Sequence, residues 1–190
     1  MPTVDDAPDP APAPRTDVEP FGVHSRLLTA TLATFLVAVG LVLDQLTKAW
    51  AIDRLVDQSI PLVPTVSLRL VYNPGMAFGM GAEIGPALTV VLLLVVAGLI
   101  AWLSIGVVRR KPWRTVLPVA IVIGGATGNL VDRVFRATEA PLTGHVVDFI
   151  AVDWFAIFNV GDIFAVCGAI LWAVLSVARD PRPVPTRPAD

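Results

Sequence analysis

Four long apolar runs, separated by short polar segments, dominate the pattern of hydrophobic and polar positions along the chain. Their central parts contain no charged residue, apart from Asp162 in the fourth run. A helix needs roughly 17–25 apolar residues to cross a bilayer, and it satisfies its own backbone hydrogen bonds there. The pattern therefore predicts an all-α membrane protein, a bundle of four transmembrane helices. The predicted helices cover about residues 27–46, 84–108, 115–133 and 154–178.

Composition agrees with this prediction. The chain has 190 residues, of which 55% are hydrophobic and 16% charged, more apolar than a soluble domain of this length. The formal net charge is −2, and no basic stretch carries interleaved aromatic residues, so we expect no nucleic-acid partner. Cys167 is the single cysteine, and the two histidines lack ligand spacing, so we expect no metal and no cofactor.

The distribution of lysine and arginine predicts the orientation in the membrane. If the N-terminus is cytoplasmic, nine of these residues lie inside and five outside. The most decisive cluster is Arg109, Arg110 and Lys111, followed by Arg114, between the second and third helices. Because cytoplasmic loops carry an excess of Lys and Arg, both termini are predicted to be cytoplasmic. Two loops, at about residues 49–83 and 134–153, then face outward.

The two ends of the chain differ in composition from the membrane domain, residues 26–178. Residues 1–25 and 179–190 are rich in proline and lack a long apolar run. Such segments cannot bury enough apolar surface to fold. Both are predicted to be disordered cytoplasmic tails.

The outer loops contain signals for a small β element. Residues 66–70 alternate between apolar and polar side chains, which is typical of a strand, and residues 73–75 (Asn-Pro-Gly) are turn-forming. Residues 145–150 resemble a second short extended segment. We therefore expect a small extracytoplasmic sheet resting on the helix bundle.

Several polar residues lie within or at the ends of the predicted helices. An ionisable residue at the centre of a membrane helix costs about 2.5–3.5 kcal/mol, so each requires an explanation. In the predicted topology they collect at the outer ends of the first, third and fourth helices. These residues are Asp44 and Lys48, Asn129 and Arg133, and Asn159 and Asp162. Asp162 is expected eight residues into the fourth helix, roughly 12 Å from its outer end.

Asp148, from the second outer loop, is predicted to meet Asp162 in this region. Two carboxylates in one partly dry site cannot both ionise easily, so the pair shares a proton. Such a pair can deprotonate a water molecule while it protonates a carbonyl oxygen, as in aspartic proteases. No Ser-His or Cys-His arrangement competes with it. The sequence thus predicts a catalytic pair formed by Asp148 and Asp162.

The same residues also permit structural roles. Asp162 could pair with an arginine to lock the bundle, and Asp44 could anchor a helix end with Lys48. Asn129 could bridge helices by hydrogen bonds, and the four-residue spacing of Gly124 and Gly128 favours close helix packing. Three other kinds of membrane protein would therefore also fit this set of polar residues. They are another intramembrane aspartyl peptidase, a small proton-coupled membrane transporter, and a structural membrane subunit.

Five short blocks carry a resemblance to a known family. In chain order they cover residues 44–48 (DQLTK), 73–79 (NPGMAFG), 124–133 (GGATGNLVDR), 146–149 (VVDF) and 158–162 (FNVGD). Over residues 27–178 the chain resembles the lipoprotein signal peptidases, signal peptidase II, of bacteria. Any one block is weak evidence, but five in order on four helices are specific.

The resemblance implies a metal-free aspartyl endopeptidase of the bacterial cytoplasmic membrane, inhibited by globomycin. Its substrates are lipid-modified prolipoproteins, from which it removes the signal peptide before the diacylglyceryl-modified cysteine. The resemblance places catalysis on Asp148 and Asp162, near the extracytoplasmic face. We expect a monomer whose partners are the substrate signal peptide and membrane lipids. The expected supporting or substrate-binding residues are Asp44, Lys48, Asn73, Gly75, Asn129, Arg133 and Asn159.

Overall fold

The computed structural model of the chain describes residues 24–75, 80–137 and 140–177. The predicted tails lie outside these residues, apart from the start of the first helix at His24. Within these ranges, four helices are long and apolar enough to cross a membrane, which confirms the predicted four-helix bundle. They are α1 (His24–Arg54), α2 (Pro86–Val108), α3 (Trp113–Phe135) and α4 (Val160–Val177).

Helix α1 is longer than the apolar pattern predicts. It continues past residue 46 to Arg54 and has 31 residues, about 46 Å at the usual rise. The additional turns are stabilised by packing, since Ala51 forms a buried apolar cluster with Leu55 and Phe149. The end of α1 therefore supports the sheet.

Helix α4 begins later than predicted, at Val160 rather than Trp154. The preceding residues form a turn and a two-residue strand. Asn159 then caps the helix: its side-chain oxygen accepts a hydrogen bond from the backbone N–H of Asp162, whose carboxylate accepts one from the backbone N–H of Asn159, both 3.0 Å. This reciprocal capping fixes the helix start. Asp162 therefore lies in the first turn of α4, not eight residues into it.

A small antiparallel sheet accompanies the bundle, as the sequence predicts, and it has four strands, two more than the sequence indicates. Its strands follow one another in space in chain order. They are β1 (Ile60–Val63), β2 (Val66–Asn73), β3 (Val146–Val152) and β4 (Ile157–Phe158). In the β2–β3 pair, Val71 lies opposite Asp148 and Asn73 opposite Val146. Because alternate residues share a face of a strand, this register places Asn73 and Asp148 on the same face.

Helix α3 lies between α1 and α4, and glycines allow the three backbones to approach closely. A Cβ atom at Gly124 would lie 3.2 Å from the Cα of Val37 on α1, and one at Gly125 would collide with the carbonyl oxygen of Gly161 on α4. Small residues at helix interfaces permit such contact in membranes. The close approach brings polar side chains of all three helices within hydrogen-bonding distance.

Candidate active site

The nine residues singled out in the sequence all lie at the end of the bundle that carries the sheet. Asn73 and Gly75 come from the end of β2 and the turn after it, Asp148 from β3, and Asn159 and Asp162 from the start of α4. The others lie on α1 and α3. They are Asp44, Lys48, Asn129 and Arg133.

Asp148 is 3% exposed. Its two carboxylate oxygens accept hydrogen bonds from the side-chain amides of Asn73, at 2.9 Å, and Asn159, at 2.6 Å. Burial is the main cause that raises the pKa of Asp148 to about 6; the negative charge of Asp162 acts in the same direction, whereas the two amide hydrogen bonds and the charge of Lys48 oppose the shift. Asp148 can therefore hold a proton at a pH where an ordinary aspartate is ionised.

Asp162 is half-buried and faces a different set of donors. Its Oδ1 accepts a hydrogen bond from the side-chain amide of Asn129, at 2.8 Å, and its Oδ2 accepts the capping bond from Asn159. The free N–H groups of a helix N-terminus also favour a negative charge in the first turn. Among the described residues, no ion pair within 4.0 Å includes Asp162. The alternative in which Asp162 only forms an ion pair with an arginine therefore has no support among these residues.

Asn159 touches both carboxylates and is fully buried. Its side-chain amide donates to Asp148 and, at 3.1 Å, to the Oδ1 of Asn129. Its backbone N–H and side-chain oxygen form the reciprocal cap with Asp162. Every hydrogen-bonding group of this side chain is used, so one residue fixes Asp148 on the sheet relative to Asp162 on α4.

Lys48 supports this arrangement from α1. Its ammonium group is fully buried and lies 2.7 Å from Asp44, 2.8 Å from Asp132 and 2.7 Å from the Oδ1 of Asn129. Three acceptors match the three N–H groups of a lysine. Asp44 in turn accepts a hydrogen bond from the backbone N–H of Gly161, at 2.8 Å. The Asp44–Lys48 pair that the sequence allowed is therefore present, and it connects α1 with α3 and α4.

Arg133 holds the turn that follows β2. Its guanidinium donates to the carbonyl oxygens of Pro74, at 3.1 Å, and Gly75. The turn is closed internally by a bond from the backbone N–H of Gly75 to the side-chain oxygen of Asn73, at 2.9 Å. Within the part of the chain that the structure describes, the Nε atom of Arg133 is buried without a hydrogen-bond partner. Arg133 therefore fixes the turn that carries Asn73, a direct partner of Asp148.

A cavity of about 620 Å³ opens next to the two carboxylates. One end is polar and is lined by Asn73, Asn129, Arg133, Asp148 and Asp162. The remaining wall is apolar and comes mostly from α2, α3 and α4. It includes Leu92, Val95, Val96, Leu99, Val122, Ala126, Ile163 and Val166. The site can therefore receive a molecule with a long apolar part and a polar bond placed against two aspartates.

Two residues of the polar cluster were missed in the sequence. Asp132 is fully buried and contacts Lys48; Gln45 donates to the carbonyl oxygen of Gly128 on α3, at 3.0 Å. Asp132 follows Asn129 by three residues, a spacing that places both on one helix face, and this was the available signal. Gln45 had only its position beside Asp44. Within the described ranges, no three His, Cys, Asp or Glu side chains are grouped to hold a metal ion.

The fold and the site define a multi-pass membrane protein with paired carboxylates at the polar end of an apolar cavity. The model of the signal peptidase (SPase) II family matches residues 36–178. A lipoprotein signal peptidase of Rhodococcus jostii is 42% identical over 91% of this chain and 84% of its own length. The corresponding protein of Mycobacterium avium is 44% identical over 80% of this chain and 79% of its own. The chain belongs to the signal peptidase II family.

The fold is also similar to solved structures. One, described as a bacterial membrane enzyme determined by the in meso method at 2.3 Å resolution, superposes with a TM-score of 0.61. It is 23% identical and covers 84% of this chain and 94% of its own. The family match decides between the alternatives left open by the sequence: the chain is a membrane peptidase rather than a transporter or a structural subunit.

Proposed function

We propose that the chain is an aspartyl endopeptidase that removes signal peptides from prolipoproteins, hydrolysing the bond before the diacylglyceryl-modified cysteine. The substrate class follows from the names of its relatives. One observation supports the aspartyl mechanism above all: Asp148 and Asp162 line the same cavity, and Asn159 is hydrogen-bonded to both. Two carboxylates of unequal environment can divide acid and base roles.

The reaction begins with one proton shared by the two aspartates and one water molecule between them. The ionised carboxylate takes a proton from the water, and the water oxygen forms a bond to the carbonyl carbon before the modified cysteine. The protonated carboxylate gives its proton to the carbonyl oxygen, so that a neutral tetrahedral intermediate forms. The two carboxylates exchange the acid and base roles during the cycle, so these roles belong to the pair rather than to a fixed residue.

Breakdown of the intermediate reverses the proton transfers. The carbon–nitrogen bond breaks, the leaving cysteine nitrogen takes a proton from the pair, and the new carboxylic acid stays on the signal peptide. One hydroxyl group of the intermediate gives its proton to the ionised carboxylate as the carbonyl group re-forms, so the pair ends the reaction singly protonated. Asn73, Asn129 and Asn159 hold the carboxylates in place throughout, because their amides donate to them.

The cavity supports a lipid-modified peptide as the substrate. Its wall of leucine and valine side chains on α2 is apolar over about two helical turns, which suits a hydrophobic signal segment and acyl chains entering laterally from the membrane. The basic residues Arg109 and Lys111 lie in the α2–α3 connection, at the other end of these helices from Asp148. By the positive-inside rule, the site then faces outward in the bacterial cytoplasmic membrane. Monomeric state and globomycin sensitivity are part of the proposal.

Purified protein and a synthetic diacylglyceryl-modified prolipoprotein peptide test the proposal. Asp148→Asn and Asp162→Asn should each lower kcat by about 10³-fold or more, because each removes a member of the acid–base pair. Asp153→Asn is the matched control, since Asp153 is an exposed carboxylate next to β3. The product should begin with the modified cysteine by mass spectrometry.

Full activity of either Asp148→Asn or Asp162→Asn would show that the aspartyl mechanism is wrong. Cleavage at another bond, or equal cleavage of the peptide without its lipid, would contradict the proposed substrate.

A further inference from the structure

Asp132 on α3 is the best-connected carboxylate outside the proposed catalytic pair. It is fully buried. One of its oxygens, Oδ2, accepts from the Lys48 ammonium at 2.8 Å and from the backbone N–H of Val147 at 3.1 Å. The other, Oδ1, accepts from Arg136 at 2.7 Å and from Gln45 at 3.3 Å. Four donors thus occupy the four acceptor sites of one carboxylate.

These contacts form two branches, one towards each catalytic aspartate. The first is direct: the Oδ2 atom of Asp132 holds the backbone N–H of Val147, the residue immediately before Asp148. The second passes through Lys48, which donates to the Oδ1 of Asn129 at 2.7 Å. Asn129 donates in turn to Asp162 at 2.8 Å. One oxygen atom of Asp132 is therefore common to both branches.

The loop that leads into β3 reinforces the first branch. The backbone N–H of Gly144 donates to the carbonyl oxygen of Arg133, at 3.0 Å. A Cβ atom at Gly144 would collide with the backbone carbonyl oxygens of Asp132 and Arg133. The start of β3 is therefore held against the end of α3, at the point where Asp132 receives the N–H of Val147.

We propose that Asp132 is a positioning residue, which fixes the distance between the carboxylates of Asp148 and Asp162 without touching the substrate. Asp132 is not among the residues that line the cavity, so its influence is indirect. The inference rests on the proposed function, because it assigns Asp132 a role in that same reaction. Acid–base catalysis by a pair depends strongly on geometry, and a displacement of about 1 Å can cost about 10²-fold in rate.

Steady-state kinetics of Asp132→Asn provide the test. An amide presents one acceptor and one N–H₂ group, so it cannot accept from all four donors. We expect kcat to fall about 10- to 100-fold with KM within about threefold of wild type, because the loss falls on the reacting geometry and not on substrate binding.

Thr89→Val is the matched control for a merely structural role. Thr89 is 1% exposed on α2 and donates to the carbonyl oxygen of Leu142 at 2.8 Å, outside both branches. Its loss should lower thermal stability and leave kcat unchanged. If both variants lose kcat in proportion to their loss of Tm, Asp132 is only a packing residue and the inference is wrong.

Asp132→Glu is the second test, should Asp132→Asn not accumulate as folded protein. It keeps the charge that faces Lys48 but moves the carboxylate by about 1.5 Å, one bond length. The same fall in kcat is expected, and wild-type kcat in either folded variant overturns the inference. This outcome differs from failure of the proposed function, in which Asp148→Asn or Asp162→Asn would itself remain active.

Discussion

Helices α2 and α3 have the same length, 23 residues, but differ in almost every other respect. Helix α3 buries eleven of its residues, including Asp132 and Arg133, whereas α2 buries four. Yet α2 is the more hydrophobic of the two. In water the more apolar helix would be the more buried one, so the order is reversed here.

The reversal follows from the solvent. Lipid tails are as apolar as leucine, so a hydrophobic helix gains little by turning away from them, and interfaces between membrane helices rely on small and polar residues instead. Helix α3 has both, with Gly124 and Gly128 for close approach and Asn129 for hydrogen bonds. Helix α2 serves as a wall of the cavity. In this bundle, small and polar residues rather than hydrophobicity therefore mark the more buried helix.

The largest expected effect on stability comes from removing the cation that the polar side of α3 faces. Lys48→Met should destabilise the protein by about 3–5 kcal/mol, because it leaves the buried carboxylates of Asp44 and Asp132 without their shared counter-charge. Leu94→Ala on α2 is the contrasting change. Leu94 is 68% exposed to the surroundings, so its effect should stay within about 0.5 kcal/mol. Thermal unfolding in detergent micelles measures both.

Equal losses for these two variants would contradict the comparison, because α2 would then depend on its outer face as much as α3 depends on its polar contacts.

A pair of glycine substitutions should give a smaller effect, of opposite sign in the two helices. A Cβ atom at Gly128 on α3 would collide with the carboxylate of Asp44, whereas one at Gly98 on α2 has no atom within 4 Å. Gly128→Ala should destabilise by about 1–3 kcal/mol through overpacking. Gly98→Ala should stabilise by about 0.5–1 kcal/mol, since alanine is the better helix former.

Unfolding midpoints of the two alanine variants decide this prediction. Should Gly128→Ala be neutral, the contact between α1 and α3 would be looser than the structure shows.

Much of the fold could be predicted from sequence, because lipid imposes strong constraints on it. The four helices follow from apolar length, and strands β2 and β3 follow from alternation and from the turn at Asn73. The start of α4 could not be found this way, since Trp154 to Phe158 are as apolar as a membrane helix. Their structure is decided by the pairing of β4 with β3 and by the Asn159 cap. The apolar pattern of these residues does not show either contact.

The candidate site, like the fold, could be predicted only in part from the sequence. Helix spacing indicates that Asp44 and Lys48, or Asn129 and Arg133, share a face. That Lys48 bridges α1 to α3, and that Arg133 holds the turn after β2, depends on how the helices are rotated against one another. Periodicity within a single helix does not contain that information: it places Asp132 on the same face as Asn129, but it does not show that Asp132 meets Lys48 and the backbone of Val147.

The smallest effect concerns pH and separates the polar cluster from the α2 wall. With the pKa of Asp148 raised to about 6, its proton is lost as the pH rises through that value, so kcat/KM should fall above about pH 6. The free energy of unfolding changes in the same direction: the neutral form of Asp148 stabilises the fold fully below the usual pKa of 3.8, and this stabilisation is lost as the pH rises through about 6.

Two variants test this assignment. Asn73→Ala removes a hydrogen bond to the ionised form of Asp148, so the alkaline limb of the kcat/KM profile should move to higher pH. Leu99→Ala on the α2 wall should raise KM and leave the limb in place. A limb that moves with Leu99 but not with Asn73 would mean that the titrating group is not Asp148, and the division of labour between the two regions would have to be redrawn.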